Sequence, residues 1–301
     1  MASSKFLDPK SDIVFKKIFG SNPELVKSFL NSVMPLPKDG LIETIEYLTA
    51  EQSPRIPSMK NTIVDVKCTD QKGRIFIVEM QMQWTESFSK RLLFGASKAY
   101  VQQMQKAEDY HSLCPVYGLG IINDTFDRET GEWFHHYRQV NVQKPERVLE
   151  GLELIFIELP KFKAQSWEEK RIGVLWLRFL KEFKGEQLEV PAEFRTVPEI
   201  SKAVELTQES SYTPLELEAY DQYLDALRTV KTIEVDSFIA GRAEGEAKGR
   251  AEGEAKGRAE GENKKAIEIA VNLLRQNLSF DIISSATGLS HSELADLKKR
   301  L

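Results

Sequence analysis

The feature that most constrains this chain is a hairpin signature. Residues 61–69 and 74–81 form two strand-like runs around the turn Gln71-Lys72-Gly73. A three-residue hairpin loop favours glycine at its left-handed last position. That choice pairs Asp70 with Arg74 and fixes every other cross-strand partner. Val64, Val66 and Cys68 then share a face with Phe76, Val78 and Met80, an apolar face by simple alternation. On the opposite face Asp65 falls directly across from Glu79, at a separation of roughly 4.5–5.5 Å for such neighbours. Gln81 follows two residues later on that face.

Two carboxylates facing each other repel, and one pKa rises unless something cationic sits between them. A divalent metal suits this arrangement. Mg²⁺ takes oxygen ligands at about 2.0–2.1 Å and keeps several waters. Asp65, Glu79 and the backbone carbonyl of Met80 are candidate ligands, with Gln81 pointing at the same bound water or phosphate. Such a metal activates water and stabilises charge on a phosphodiester. The same residues also fit a part-solvated sheet face on which Lys67 pairs diagonally with Glu79. Ile63, Ile75 and Ile77 lie on this face too, and carboxylates among isoleucines on a covered face need partners.

The flanking pattern is α/β. Ser11-Asp-Ile-Val-Phe-Lys-Lys-Ile-Phe-Gly20 reads as a short helix with Ser11 at its N-cap and Gly20 as its stop. A second helix opens at Asn22-Pro23, with Leu25, Val26, Phe29, Leu30 and Val33 on its apolar side. A strand over residues 41–48 and a Pro-rich link at 53–57 lead into the hairpin. A long helix over 87–108 follows it, with Phe88, Leu92, Ala96, Ala99 and Met104 on one side; Gly95, Ala96 and Ala99 allow close approach to a sheet. Strand candidates lie at 116–122, 133–140 and 154–159. Beyond Ser166-Trp-Glu-Glu169, a capping box, the pattern turns helical, with helices at 172–183 and from Pro214 to about Ile239. The expected divisions are a core over 1–160, a helical region over 161–240, a repeat segment over 241–262 and a small helical element over 263–301.

The order helix, strand, Asp strand, Glu-x-Gln strand, helix, strand resembles the core of the PD-(D/E)XK nucleases. It is similar in particular to their transposase-like branch, the recombination-promoting nuclease family. The residues that carry the likeness are the 11–20 segment, Val64-Asp65, Val78-Glu-Met-Gln81, Arg91, Tyr100, the strand opening at Pro115-Val116 and the strand Leu154-Ile-Phe-Ile-Glu-Leu159. The fold this implies is a mixed β-sheet flanked by helices, followed by a helical region and a long helical C-terminal tail. The activity it implies is Mg²⁺- or Mn²⁺-dependent hydrolysis of DNA, serving recombination, transposition-like processes or defence against foreign DNA. It implies Asp65 and Glu79 as metal ligands, Asp12 completing the site from the first helix, and Gln81 in place of the usual lysine. Glutamine carries no charge, so another cation is needed, and Lys67, Lys16 and Lys17 are the candidates. The motif's proline is replaced by Val64. Lys90 and Arg91 are candidate phosphate contacts.

Other residues are read more plainly. His135 and His136 point to opposite faces of a strand, so they cannot share a metal and are expected to be structural. Tyr100 fits either a reach to the site or the core. Residues 241–262 repeat Gly-Arg-Ala-Glu-Gly-Glu-Ala-Lys, with favourable i,i+4 pairs such as Glu244–Lys248, Glu246–Arg250 and Glu252–Lys256, each worth ~0.2–0.5 kcal/mol. Each helical glycine costs about 1 kcal/mol. The segment is therefore a helix supported by packing, which makes the protein a homo-oligomer through its tail, or a flexible linker. Two short helices follow around Thr287-Gly-Leu289, with a capping box at Ser290-His-Ser-Glu293 and basic Lys298, Lys299 and Arg300.

Composition excludes several classes. The 301 residues are 41% hydrophobic and 29% charged, with no apolar run near the ~20 residues that span a bilayer, so no membrane role is expected. Cys68 and Cys114 are the only cysteines and are expected to be reduced core residues of a cytosolic protein. Two cysteines and four scattered histidines cannot build a structural zinc site. A net charge of -5 confines any nucleic-acid contact to a local basic patch. A non-catalytic DNA-binding protein on this fold, and an oligomeric scaffold assembled by the tail, fit the same composition.

Overall fold

The computed structural model describes residues 5–49, 51–52, 62–63, 65–104, 109–164, 171–185 and 189–301. The Pro-rich link at 53–57, Val64 and the 166–169 capping box lie outside them, as do the side chain of Ile63 and residues 105–108.

Helices α1 (Asp12–Phe19) and α2 (Pro23–Val33) form where the apolar spacing places them. Ser11 takes the extended N-cap conformation, but its hydroxyl donates to the Asp8 carbonyl instead of capping the helix. Strand β1 (Ile45–Tyr47) is shorter than the expected 41–48 run. The Asn31 side chain bonds both the N–H and the carbonyl of Ile42, so that stretch is held by a side chain and not by a ladder. The strand expected over 61–69 is divided: Thr62–Ile63 (β3) pairs with Glu51–Gln52 (β2) in a separate two-stranded sheet, and the hairpin strand begins only at Val66.

The hairpin turn and register are as expected. Strands β4 (Val66–Asp70) and β5 (Ile75–Gln81) pair Val66 with Val78, Lys67 with Ile77, Cys68 with Phe76 and Thr69 with Ile75. Gly73 has φ +74°, the left-handed position that the loop requires. Asp70 locks the turn. Its carboxylate accepts from the N–H groups of Lys72 and Arg74 and from Arg74 Nε (2.8 Å), while Arg74 Nη2 also reaches the Gly40 carbonyl (2.6 Å).

Helix α3 (Glu86–Gln102) leads to β6 (Val116–Ile122), β7 (Phe134–Asn141) and β8 (Lys144–Glu158). The six strands are ordered β1-β4-β5-β6-β8-β7, with β5, β6 and β8 parallel and the rest antiparallel. β8 is far longer than the expected 154–159 run. Its first half, rich in charge and solvent-exposed, pairs only with β7, so an apolar signal was absent there.

One sheet face, with Val66, Cys68, Phe76, Val78, Leu119, Ile121, Ile155 and Ile157, packs against α1, α2, α4 (Arg171–Glu182) and α5 (Pro198–Leu206). Trp176 of α4 meets Phe19 and Phe29 with ring centroids 5.3 and 5.8 Å apart, so the helices beyond residue 160 share this core. The other face, with Ile75, Ile77, Val116, Ile122 and Phe156, is covered by α3 through Phe88, Leu92, Ala96 and Ala99. Gly120 permits that approach, because a Cβ there would stand 2.9 Å from Phe88 and 3.0 Å from Phe156. Met104 lies past the helix end. Cys68 is buried and Cys114 half-buried, both free.

Helix α6 runs unbroken over Pro214–Arg275, so the repeat segment is helical. Its ion pairs, Arg242–Glu246 and Arg258–Glu262, run in the reverse order to the expected Glu-before-Lys pairs, and both are exposed. Two compact units result, Met1–Leu224 and Asp225–Leu301. In the second, the end of α6 packs with α7 (Phe280–Thr287) and α8 (His291–Lys299) around Ala270, Leu274, Ile283, Leu289 and Leu294. The Ser290–Glu293 capping box is present, and Gly288 takes the left-handed position between the helices.

Because Arg74 is buried with Asp70, removing one partner leaves an uncompensated charge. Asp70→Ala is expected to cost about 3–5 kcal/mol in urea unfolding. A loss below about 1 kcal/mol would show that the turn geometry, not this pair, sets the register.

Candidate metal centre

Continuing the β4–β5 register brings Asp65 opposite Glu79. Asp65 sits at the bend before β4, and its Oδ2 accepts the Met80 N–H at 2.7 Å, which fixes it against β5. From the other side α1 presents Asp12 and, one turn on, Lys16. Lys16 Nζ lies 2.6 Å from Asp12 Oδ1 and 3.8 Å from Asp65 Oδ1.

Glu79 is buried, with only 5% of its surface exposed. Arg91, one turn into α3, approaches it with Nε 3.5 Å from Oε2 and donates through Nη2 to Gln81 Oε1 at 2.8 Å. Gln81 in turn donates to the Gln83 carbonyl at 2.9 Å, so its amide is held at both ends. Glu79 Oε1 has no hydrogen-bond partner. A buried carboxylate oxygen left without a donor is costly, and it is what a metal ligand looks like before the metal binds.

The electrostatics agree. Burial, with the neighbouring Asp12 carboxylate, pushes the Asp65 carboxyl up to about 6, against the lowering effects of the Met80 N–H and Lys16. Burial pushes Glu79 up to about 7, with Asp65 adding to the rise and Arg91 opposing it. Each carboxylate has a cation at its edge, yet desolvation still dominates. The candidate donors, Asp12, Asp65, Glu79 and the Met80 carbonyl, are all oxygen, the type a hard divalent cation takes, although the three carboxylates do not converge within 4.8 Å of one another in this arrangement.

The remaining sequence candidates are placed less centrally. Lys67 is buried on the α3 face, where desolvation first, and then Lys98, lower its pKa; the charges acting on Glu79 are those of Arg91 and Asp65. Lys17 donates to Glu216 and to the Ser211 carbonyl and lies over the Tyr212 ring, so it anchors the chain near the start of α6. Lys90 is exposed beside Arg91. Tyr100 packs on Gly151, whose Cβ would stand 3.2 Å from the tyrosine oxygen. The direct link from Arg91 to Gln81 was not foreseen, although Arg91 itself was singled out.

A family model described as PD-(D/E)XK nuclease family transposase matches residues 9–233. The chain belongs to that family. Comparison with curated proteins and with solved structures returned no match. The family match takes in the whole Asp12–Asp65–Glu79–Gln81 constellation and ends within α6, ahead of the glycine repeat.

A second acidic cluster in this nuclease-family chain has a different character. Asp127, His135 and Glu158 offer ligand atoms within 4.8 Å of one another. Glu158 is fully buried, but it is satisfied by His135 Nε2 (2.8 Å), Lys161 Nζ (3.0 Å) and the Phe126 N–H (3.0 Å). Lys161 already supplies the cation, so the cluster is a closed ion-pair network. His136 pairs separately with Glu153, and each histidine thus has its own glutamate.

Because the folded protein raises both pKa values, it favours the protonated carboxyls. That contribution is fully present below their ordinary values near 4 and is lost as pH rises through about 6 and 7. The metal-free protein should therefore melt at a lower temperature at pH 8 than at pH 5. Glu79→Gln should raise the melting temperature at pH 8 and flatten the dependence, and Mn²⁺ should stabilise the wild type at pH 8 but not at pH 5. Equal wild-type melting across this range would contradict the raised carboxyls.

Proposed function

We propose that the protein is a metal-dependent DNA endonuclease that hydrolyses phosphodiester bonds at the Asp65–Glu79 centre, in recombination, transposition-like processes or defence against foreign DNA. The observation that carries this reading is the buried, unpartnered oxygen of Glu79 opposite Asp65 in a chain of the nuclease family. Asp65, Glu79 and the Met80 carbonyl would hold Mg²⁺ or Mn²⁺, with Asp12 completing the set. That cation supplies an activated water and neutralises charge on the scissile phosphate.

The chain's own residues do the rest. Lys16 bridges Asp12 and Asp65 and keeps their carboxylates converged. Arg91 orients the Gln81 amide toward the site and supplies the charge that glutamine lacks. Its guanidinium is part-exposed and over the Phe88 ring, 5.1 Å from the centroid, which leaves donors for phosphate oxygens. Exposed Lys90 extends this positive edge along the DNA backbone. In this reading Arg91, not Lys67, takes the role of the usual lysine.

Plasmid cleavage with and without Mg²⁺ tests the assignment. Asp65→Ala and Glu79→Ala should each abolish cleavage while leaving the fold intact. Arg91→Ala should lower kcat by about 10²-fold, the scale seen for loss of one transition-state donor, and Lys67→Ala should not. DNA binding without cleavage by the wild type would favour a non-catalytic DNA-binding protein, and undiminished cleavage by either carboxylate variant would remove the centre from the mechanism.

The same reading includes self-association through the tail. Gly241, Gly245, Gly249, Gly253, Gly257 and Gly261 recur every fourth residue of α6, each facing open space. Val230, Ile233 and Phe238 just before them are exposed. Two such helices can approach closely along this slowly turning stripe, bringing two centres together for the two strands of a duplex. Sedimentation should show at least a dimer for the full chain and a monomer for a chain ending near Ala240; monomers in both cases would refute the assembly.

A further inference from the structure

Among the described residues, two buried side-chain polar atoms have no hydrogen-bond partner: Glu79 Oε1 and the hydroxyl of Tyr223. The first belongs to the centre described above. The second lies on α6, near the end of the first compact unit, and the proposed mechanism gives it no part.

The beginning of α6 is fixed on the segment that carries Asp12. Tyr220, one turn before Tyr223 and on the same side of the helix, accepts the Asp8 N–H at 3.0 Å. Lys17 of α1 reaches Glu216 at 3.2 Å. These contacts turn the Tyr220–Tyr223 side of α6 toward the start of α1. Tyr223 feels the result. Burial first, and then the charges of Asp8, Asp12 and Asp65 together with Tyr220, push its phenol well above the ordinary tyrosine value. The group is thus a neutral O–H on the side of α6 that faces the start of α1, with nothing to donate to.

A phenol placed this way cannot act as a base or carry charge. It can donate one strong hydrogen bond to an anion. None of the carboxylates whose charge acts on it, Asp8, Asp12 and Asp65, accepts that bond. A ligand that brings its own anionic oxygen to the Asp12–Asp65 side of the centre would satisfy it.

We propose that the Tyr223 hydroxyl is a hydrogen-bond donor to a nonbridging oxygen of the DNA phosphate held at the Asp65–Glu79 centre. The identity of that anion rests on the nuclease reading; the orphaned donor and its location do not. The first turns of α6 then close the site from the side opposite Arg91, and phosphate is gripped by a cationic donor from α3 and a neutral one from α6.

The test uses the full-length protein and its Tyr223→Phe variant, which keeps the ring and removes only the donor. Metal-free, the variant should melt about 2–4 °C higher, because an unsatisfied buried hydroxyl has been removed. Binding of a short duplex oligonucleotide in Ca²⁺ should weaken about tenfold, as expected for loss of one hydrogen bond to a charged group. A variant that binds the duplex as tightly as the wild type overturns the inference, whatever its melting temperature. So does a wild type that binds no duplex in Ca²⁺. A wild type that binds in Ca²⁺, loses affinity with Tyr223→Phe and yet cleaves nothing in Mg²⁺ refutes the nuclease reading and leaves the phosphate contact standing.

Discussion

Asp70 is buried behind the Gln71-Lys72-Gly73 turn, where its carboxylate gathers two backbone N–H groups and the Arg74 guanidinium. Everything at the candidate site depends on what that interaction fixes. In a hairpin the side-chain period is two, so a slip of one residue would carry Glu79 and Gln81 to the α1–α2 side and leave Val78 facing α3. Neither face could then be packed. Arg74 extends the constraint by bonding the Gly40 carbonyl, which ties the turn to the connection between α2 and β1. The far end of the hairpin thereby holds the near end, where Asp65 meets the Met80 N–H.

At that near end the fold accepts a local electrostatic cost. Lys16 and Arg91 stand at the edges of the carboxylates and not between them, and the raised pKa values of Asp65 and Glu79 measure the shortfall. Had stability alone been served, a buried cation could have bridged the pair, as Lys161 does for Glu158 and Asp127 only a strand away. The contrast between the two clusters within one sheet is informative. One is closed by a lysine and complete; the other is left with an unpartnered oxygen. Departures from full satisfaction concentrate where a ligand is to be received.

Much of this was legible in the sequence because it depends on short-range rules. Gly73 and strict alternation set the hairpin register, and the strand candidate at 116–122 matches β6. What could not be read were facts about which element covers which face. The register put Lys67 and Glu79 on one side of the sheet, but it could not say that α3 would lay Lys98 near the first and Arg91 near the second. The charged first half of β8 gave no apolar signal, because a two-stranded solvated extension buries nothing. Tyr223 was invisible for a related reason. Its neighbours in the chain give a helical pattern, and only the docking of α6 against the Asp8–Lys17 segment, through Tyr220 and Glu216, sets which side of that helix meets the start of α1.

The tail poses the opposite problem, a helix whose local energetics argue against it. The glycine repeat costs about 6 kcal/mol relative to alanine across its six glycines. Exposed pairs such as Arg242–Glu246 and Arg258–Glu262 return only about 0.3–0.5 kcal/mol each. Stable ends lessen the nucleation cost, since residues before Leu224 belong to the first unit and Ala270 and Leu274 pack in the second. They do not repay the glycines in the middle. Alanine at those positions would have made a stiffer spacer with no packing penalty, because a Cβ there meets nothing within 4 Å in the single chain. Glycine is therefore unexplained by the chain's own contacts, and the absence of a side chain is what close approach of a second helix, as in the proposed self-association, would require.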